Sequence, residues 1–169
     1  LKNNNKFQLD LNPKLGDEKR VFLPHPEIFK SVKKNNKILI DDGKVMLNIE
    51  SATSEKIITE VINGGKVSNK KGVNVPETFI KMSPLTKKDI KDLELCLNLC
   101  LDYVALSFVQ KSKDLIDLKK YTRGQTAIMA KFEKPLAIKR MEDILYHCDA
   151  AMVARGDLGV EMPPEEVPI

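Results

Sequence analysis

Residues 45–49 alternate: Val45, Leu47 and Ile49 are apolar, and polar or flexible side chains stand between them. A period of two marks a strand with one buried face. Neighbouring segments repeat the signal. Lys37-Ile38-Leu39-Ile40 and Ile57-Ile58-Thr59-Glu60-Val61-Ile62 predict strands, and Val21-Phe22-Leu23 predicts a short one closed by Pro24 and Pro26. Residues 27–32 predict a helical turn. The polar turn Lys33-Lys34-Asn35-Asn36, the tight hairpin signal Asp41-Asp42-Gly43 and the stop Asn63-Gly64-Gly65 separate these pieces. Short strands punctuated in this way predict a small antiparallel barrel or sandwich over residues 1–74.

The period changes near residue 75. Pro76 and Pro84 bracket a connector, and Thr86 with Asp89 predicts a capped helix whose stripe is Ile90, Leu93, Leu97 and Leu101. Residues 103–108 predict a strand. Ser112 is expected to cap a helix carrying Leu115, Ile116 and Leu118. Residues 127–133 predict the next strand, and Pro135 opens a helix striped by Ile138, Met141, Ile144 and Leu145. Residues 150–155 predict a third strand, running into Gly156-Asp157-Leu158-Gly159. Strand ends at near-equal spacing form a βα repeat over residues 75–169. An open doubly wound sheet and part of a (β/α) barrel both give that period.

Charged residues sit where these strands end. By alternation Lys131 and Glu133 share a face, and Arg155 and Asp157 repeat the arrangement one strand on. Right-handed crossovers bring parallel strand ends to one edge, so Lys131, Glu133 and Asp157 are expected to converge there. The residues alone leave the chemistry open. Acids at strand ends bind metals or cap the next helix. A lysine beside them is an ion-pair partner or a charge stabiliser, and Lys70-Lys71-Gly72 by itself is a solvated basic turn.

Composition narrows the classes. The chain has 169 residues, 42% hydrophobic and 31% charged, which is ordinary for a soluble domain. Net charge is +4, but lysine far outnumbers arginine (only Arg20, Arg123, Arg140 and Arg155), and aromatics are 5%. Nucleic-acid binding is not expected, whereas a mild positive field suits small anionic substrates. No window approaches a membrane span, so no membrane partner is expected. Cys96, Cys100 and Cys148 lack a metal-type pattern with histidines and are expected to be buried, reduced thiols of a cytoplasmic protein. A start at Leu1 and an end in a proline-rich run predict a fragment of a longer chain.

Ala130-Lys131-Phe132-Glu133 followed by Met152-Val153-Ala154-Arg155-Gly156-Asp157-Leu158-Gly159 resembles pyruvate kinase. The family pattern is Ser-Lys-Ile-Glu, then Met-Val-Ala-Arg-Gly-Asp-Leu-Gly, and the second half is matched residue for residue. Asp41-Asp42-Gly43, Lys70-Lys71-Gly72-Val73-Asn74-Val75-Pro76 and Ser107-Phe108-Val109 extend the resemblance over nearly the whole chain. It departs at Ala130 and Phe132, which by parity are expected to pack toward the helix layer. It departs also at Glu77, where a glycine usually follows the proline, and at Gln110, where many members have arginine.

The resemblance implies a partial TIM (β/α)8 barrel of about three βα units over residues 75–169, with an inserted all-β lid over residues 1–74 that closes over nucleotide. It implies transfer of a phosphoryl group from phosphoenolpyruvate to ADP, giving pyruvate and ATP, in a homotetrameric parent. Glu133 and Asp157 are then ligands of Mg2+ or Mn2+, and Lys131 is the catalytic, substrate-contacting cation. Gly156 and Asp157 hold the substrate carboxylate, and Lys71 contacts the nucleotide. Arg155 stays open between a salt bridge and substrate contact. Potassium is expected in the parent, its ligands lying outside this chain with a phosphate-contacting arginine and a threonine near the proton-transfer step. The fragment itself is therefore expected to be inactive. Two alternatives are a Mg-dependent barrel enzyme of the pyruvate aldolase type and a non-catalytic product of a degraded gene.

Overall fold

The computed structural model describes residues 1–76, 78–80 and 83–168, so the expected departure at Glu77 lies outside the described residues. The chain divides into two compact units, Leu1–Lys81 and Met82–Ile169. The division falls later than the change of period at residue 75. Val75 is buried in the first core and Ile80 packs against it, which keeps the connector with the first unit.

The alternation at residues 45–49 builds the centre of the first unit. In β4 (Val45–Ala52) Val45, Leu47 and Ile49 are buried and their neighbours are not. β5 (Lys56–Asn63) presents Ile57, Thr59 and Val61 to the same core, and β3 (Lys37–Ile40) adds Ile38 and Ile40. The β3–β4 hairpin turns through Asp41, Asp42 and Gly43 at φ 53°, 56° and 82°. This is left-handed backbone that only glycine and short polar residues adopt readily. β1 (Lys6–Asp10), β2 (Arg20–Phe22) and β6 (Val73–Asn74) complete a sheet in the order β2-β1-β5-β4-β3-β6. The helical turn α1 (Pro26–Ser31) contributes Ile28 and Phe29 to the core. Gly64 follows β5 where a Cβ would lie 2.5 Å from the Leu1 carbonyl, so a side chain there meets backbone.

The expected antiparallel barrel or sandwich is corrected on two points. β1 and β2 run parallel, and no ladder joins β2 to β6 among the described residues. β1 was not predicted, although Phe7 and Leu9 carry the same alternation.

A buried ion pair ties the 11–19 loop to this sheet. The Asp10 carboxylate accepts from Arg20 Nε at 3.0 Å, from Gln8 Nε2 at 2.6 Å and from the Asn12 N–H at 2.9 Å. Arg20 donates as well to the carbonyls of Asn12 at 2.6 Å, Lys14 at 2.7 Å and Leu15 at 3.1 Å.

In the second unit the capping box is present as expected: Asp89 N–H donates to Thr86 Oγ1 at 3.2 Å, and Thr86 N–H to Asp89 Oδ2 at 2.8 Å. It opens α2 (Lys87–Asn98), which ends before Leu101, so that residue is exposed instead of joining the stripe. Three parallel strands follow in sequential order, β7 (Tyr103–Leu106), β8 (Ala127–Phe132) and β9 (Ala150–Val153). α3 (Ser112–Thr122) starts from Lys111, with Ser112 as its first helical residue and not its cap, and buries Leu115 and Leu118 while Ile116 faces out. The helix expected after Pro135 is two pieces, α4 (Pro135–Ile138) and α5 (Met141–Leu145), which leave Met141 and Leu145 exposed. The third strand is also shorter than expected. Arg155 opens α6 (Arg155–Glu161), and a 3-10 turn follows at Pro164–Glu166.

Ile128, Ala130 and Phe132 of β8 are buried with Leu93, Leu115, Leu118, Ala137 and Ile144 of the helices. The two departures at 130 and 132 therefore pack into the helix layer, and the opposite face carries Lys131. On that face Tyr103 is 54% and Met152 43% exposed. Three parallel strands in unreversed order with helices packed on one face have the arrangement of βα units in a barrel, which one half of a doubly wound sheet shares. The cysteines are free, but Cys96 and Cys148 are half-buried and Cys100 is exposed, against the expected burial. Among the described residues no helix is long and apolar enough to cross a membrane.

The Arg20 guanidinium, with the Gln8 and Asn12 donors, holds the Asp10 carboxyl at about 2, below its ordinary 3.8. A depressed folded value stabilises the fold fully above 3.8 and loses that contribution as pH falls through about 2. The expected contribution is about 2 kcal/mol. Urea unfolding followed from neutral pH to acid should show Asp10→Asn lacking this part of the wild-type slope; equal slopes would refute it.

Candidate active site at the carboxyl ends of the parallel strands

The site begins with the register of β8. Alternation turns Lys131 to the face away from the helices, where its ammonium donates to Ser107 Oγ at 2.8 Å and pairs with Glu133. The Glu133 side chain is 4% exposed. Its second oxygen accepts the Phe108 N–H at 2.8 Å. That bond coincides with an unusual backbone: Phe108 sits at φ 58°, a left-handed conformation that costs a bulky residue about 1 to 3 kcal/mol. The strained turn after β7 thus delivers a backbone donor to the carboxylate that follows β8.

The end of β9 lies beside that of β8, joined by the Ala154 N–H donating to the Phe132 carbonyl at 3.1 Å. α6 then carries Gly156 and Asp157, both exposed. The Asp157 side chain makes no hydrogen bond or ion pair among the described residues. Lys131 and Glu133 pair; Asp157 belongs to the neighbouring strand end, and its side chain bonds to neither. The parity argument for Arg155 fails. Both Arg155 and Asp157 lie on a helix, where two residues turn about 200°, so they do not share a face. A Cβ at Gly156 would meet nothing within 4 Å, and nothing in the structure explains why glycine stands there.

Two residues of this edge escaped the sequence reading. Lys134, next after Glu133, pairs with Glu161 at the far end of α6, with side chains 15% and 1% exposed. Its ammonium also stands 5.9 Å from the centroid of the Phe108 ring. Ser107 was matched to the family without a role. The signal for it was parity, since its position continues the face of Tyr103 and Ala105.

In the first unit Lys71 pairs with Asp41 at 3.0 Å, and Lys44 reaches the same carboxylate at 3.1 Å. Lys71 first and Lys44 second hold the Asp41 carboxyl below the usual carboxylate range.

For a divalent cation the donor set is one buried carboxylate and one free, exposed carboxylate on adjacent strand ends. No cluster of three or more His, Cys, Asp or Glu that could hold a metal occurs among the described residues. Hard oxygen donors in that number fit Mg2+, which keeps waters and takes other positions from substrate oxygens. A cleft of about 710 Å3 lies at the opposite, amino-terminal edge of the strands, lined in part by Asp102, Ala127 and Asp149. Its Asp149 already accepts the Ile128 N–H at 2.8 Å, a structural bond.

Replacing Glu133 by Ala should lower the stability of the second unit by about 3 kcal/mol, because Lys131 loses its ion-pair partner and the Phe108 N–H loses its acceptor. Glu133→Gln, which can still accept that N–H, should cost less. Urea denaturation of the three proteins checks the order, and equal stabilities would show that the buried carboxylate anchors nothing.

The profile of the family described as pyruvate kinase, barrel domain, matches residues 1–169. A pyruvate kinase of Methylorubrum extorquens is 46% identical over 168 residues, covering 99% of this chain and 35% of that protein. One from Agrobacterium vitis is 50% identical over 146 residues, covering 86% and 31%. One from Geobacillus stearothermophilus is 35% identical over 175 residues, covering 100% and 30%. The chain spans about a third of the length of the curated relatives it matches.

Proposed function

The chain belongs to the pyruvate kinase family, and from that premise we propose that it forms the central part of an enzyme moving a phosphoryl group from phosphoenolpyruvate to ADP. The first unit is the lid and the second is three βα units of the catalytic barrel. The observation that carries the proposal is the Lys131 ammonium, held between Ser107 and the buried Glu133 at the strand ends where barrel active sites sit.

In the reaction the bond between phosphorus and the enol oxygen breaks, a terminal ADP oxygen bonds to phosphorus, and the enolate left behind takes a proton at carbon to become pyruvate. Positioning and charge neutralisation are the main tasks in such a transfer. Lys131 supplies a cation whose place is fixed by two partners, so little reorganisation is needed as charge develops. The N–H groups of Gly156 and Asp157, in the first turn of α6, have no partner within the helix and are suited to the substrate carboxylate. Glu133 and Asp157 would hold Mg2+ or Mn2+, which supplies neutralisation of phosphate charge when bound. Lys71 would exchange Asp41 for a nucleotide phosphate. Potassium, a cytoplasmic location and a homotetrameric parent belong to the same proposal.

The 169 residues alone are proposed to be inactive, because among the described residues the three-stranded sheet has no further strand at either edge. In the intact protein, Lys131→Met should lower ADP-dependent pyruvate formation at least about a hundredfold, on the scale of losing one preorganised charge. A coupled assay of the intact protein, this variant and the 169-residue chain tests both statements. A variant as fast as its parent would remove Lys131 from the mechanism. A chain as active as the parent would show that these residues complete a site without further strands.

A further inference from the structure

Ser107 and Lys131 meet across two strand ends. β7 and β8 pair in parallel with Leu106 opposite Ala130, and Ser107 and Lys131 come next, one step closer to the carboxyl edge. Both are half-buried. The Lys131 ammonium donates to Ser107 Oγ at 2.8 Å and pairs with Glu133. Chemistry fixes the direction of the first bond. An ammonium has three donors and no acceptor, so the serine oxygen accepts and its own proton is left over. Ser107 makes no other side-chain hydrogen bond among the described residues, and one Lys131 N–H is uncommitted in the same way. Each oxygen of the neighbouring Glu133 already has a donor, one from Lys131 and one from the Phe108 N–H. Two adjacent groups at this edge therefore have a hydrogen to give, and both suit one acceptor that carries negative charge.

We infer that Ser107 is a further catalytic residue, whose hydroxyl donates to the enol oxygen of phosphoenolpyruvate beside the Lys131 ammonium. The two side chains form one oxyanion site at the ester oxygen of the phosphate group. The inference rests on the reading of Lys131 as the cation of phosphoryl transfer. When the bond between phosphorus and the enol oxygen breaks, its electron pair stays on that oxygen and the phosphoryl group passes to ADP. The enol oxygen is where new charge appears on the three-carbon product, and donors placed before the charge arrives stabilise it most. Ser107 is placed from two sides. Lys131 holds its oxygen, and its backbone runs into the Phe108 turn, whose N–H is bonded to Glu133. Ser107 keeps its proton throughout, so the proton taken up at carbon comes from another donor. A serine that only held Lys131 would make the same bond, and the two roles separate once Lys131 is removed.

In the intact protein, Ser107→Ala should lower kcat for ADP-dependent pyruvate formation roughly a hundredfold, the scale of losing one preorganised donor. KM for phosphoenolpyruvate should stay within about threefold, since the bond strengthens only as charge develops. Ser107→Thr, which keeps the hydroxyl, should remain within about fivefold of the parent. The second probe is oxalate, a planar dianion shaped like the enolate, with its affinity read by isothermal titration in the presence of Mg2+. Ser107→Ala should weaken oxalate binding about tenfold, in the parent and in a Lys131→Met background alike. A Ser107→Ala variant that matches the parent in kcat and in oxalate affinity overturns the inference. So does a loss of oxalate affinity that vanishes in the Lys131→Met background, because the serine would then act only through the lysine. Failure of the underlying reading shows differently: Lys131→Met itself would be as fast as its parent. Oxalate affinity would in that case still decide for Ser107, and an affinity unchanged by Ser107→Ala would overturn its contact with the enol oxygen.

Discussion

The second unit is arranged around one carboxylate placed where a carboxylate is costly. Glu133 lies at the end of an apolar strand, 4% exposed at the side chain, and a charge so placed is tolerated only with partners. Its partners come from two strands. Lys131, two residues earlier on β8, brings the opposite charge, and the Phe108 N–H comes from the turn after β7. That turn takes a backbone conformation a phenylalanine ordinarily avoids. The strain is local and the gain is local, since a buried acceptor without its donor would cost as much as the turn. One charge at one strand end thus takes a donor from the neighbouring loop and a cation from its own strand.

Much of this was legible because a two-residue period has few physical readings. Val45, Leu47 and Ile49 had to face a core, and Ile128, Ala130 and Phe132, alternating with Lys131, had to face the helices. Thr86 and Asp89 were legible for the same reason, since a capping box is chemistry within one turn. The misses have separate causes. β1 carries a readable alternation at Phe7 and Leu9, whereas β6 is two residues long, too short for a period. The helix after Pro135 looked continuous because its apolar residues fit one stripe, but the backbone breaks between Ile138 and Met141. Arg155 was misplaced because a strand's parity was carried past Val153, where the chain had already begun a helix.

The site was legible to the depth of its charged residues and no further. Lys131 and Glu133 stand out as charges on an apolar strand. The groups that hold them do not: a backbone N–H leaves no trace in a sequence, and a serine at a strand end is common. Lys134 and Glu161 are separated by more than one βα repeat, and nothing in either local pattern shows that the end of β8 and α6 bring them together. Contacts between consecutive strand ends are a product of the parallel crossover. They become readable only once register is known.

The two lysines proposed to meet phosphate groups are both already paired with acids, but not in the same way. The Lys71 side chain is 37% exposed, and the Asp41 carboxylate it meets is shared with Lys44. Exposed pairs of this kind are weak, so a phosphate can displace Asp41 from Lys71 at little cost, and Lys44 remains to compensate the aspartate. Lys131 is different. Its partner Glu133 is buried and fixed by a second bond, and Ser107 holds the ammonium from the other side. Removing Lys131 from Glu133 would uncover a buried charge, so the ammonium is expected to stay and the anion to come to it. A cation that cannot move suits charge that develops during a transfer, and one that exchanges partners suits a nucleotide that must arrive and leave. The two tasks proposed for the same residue type thus follow from the burial of the acid beside each lysine.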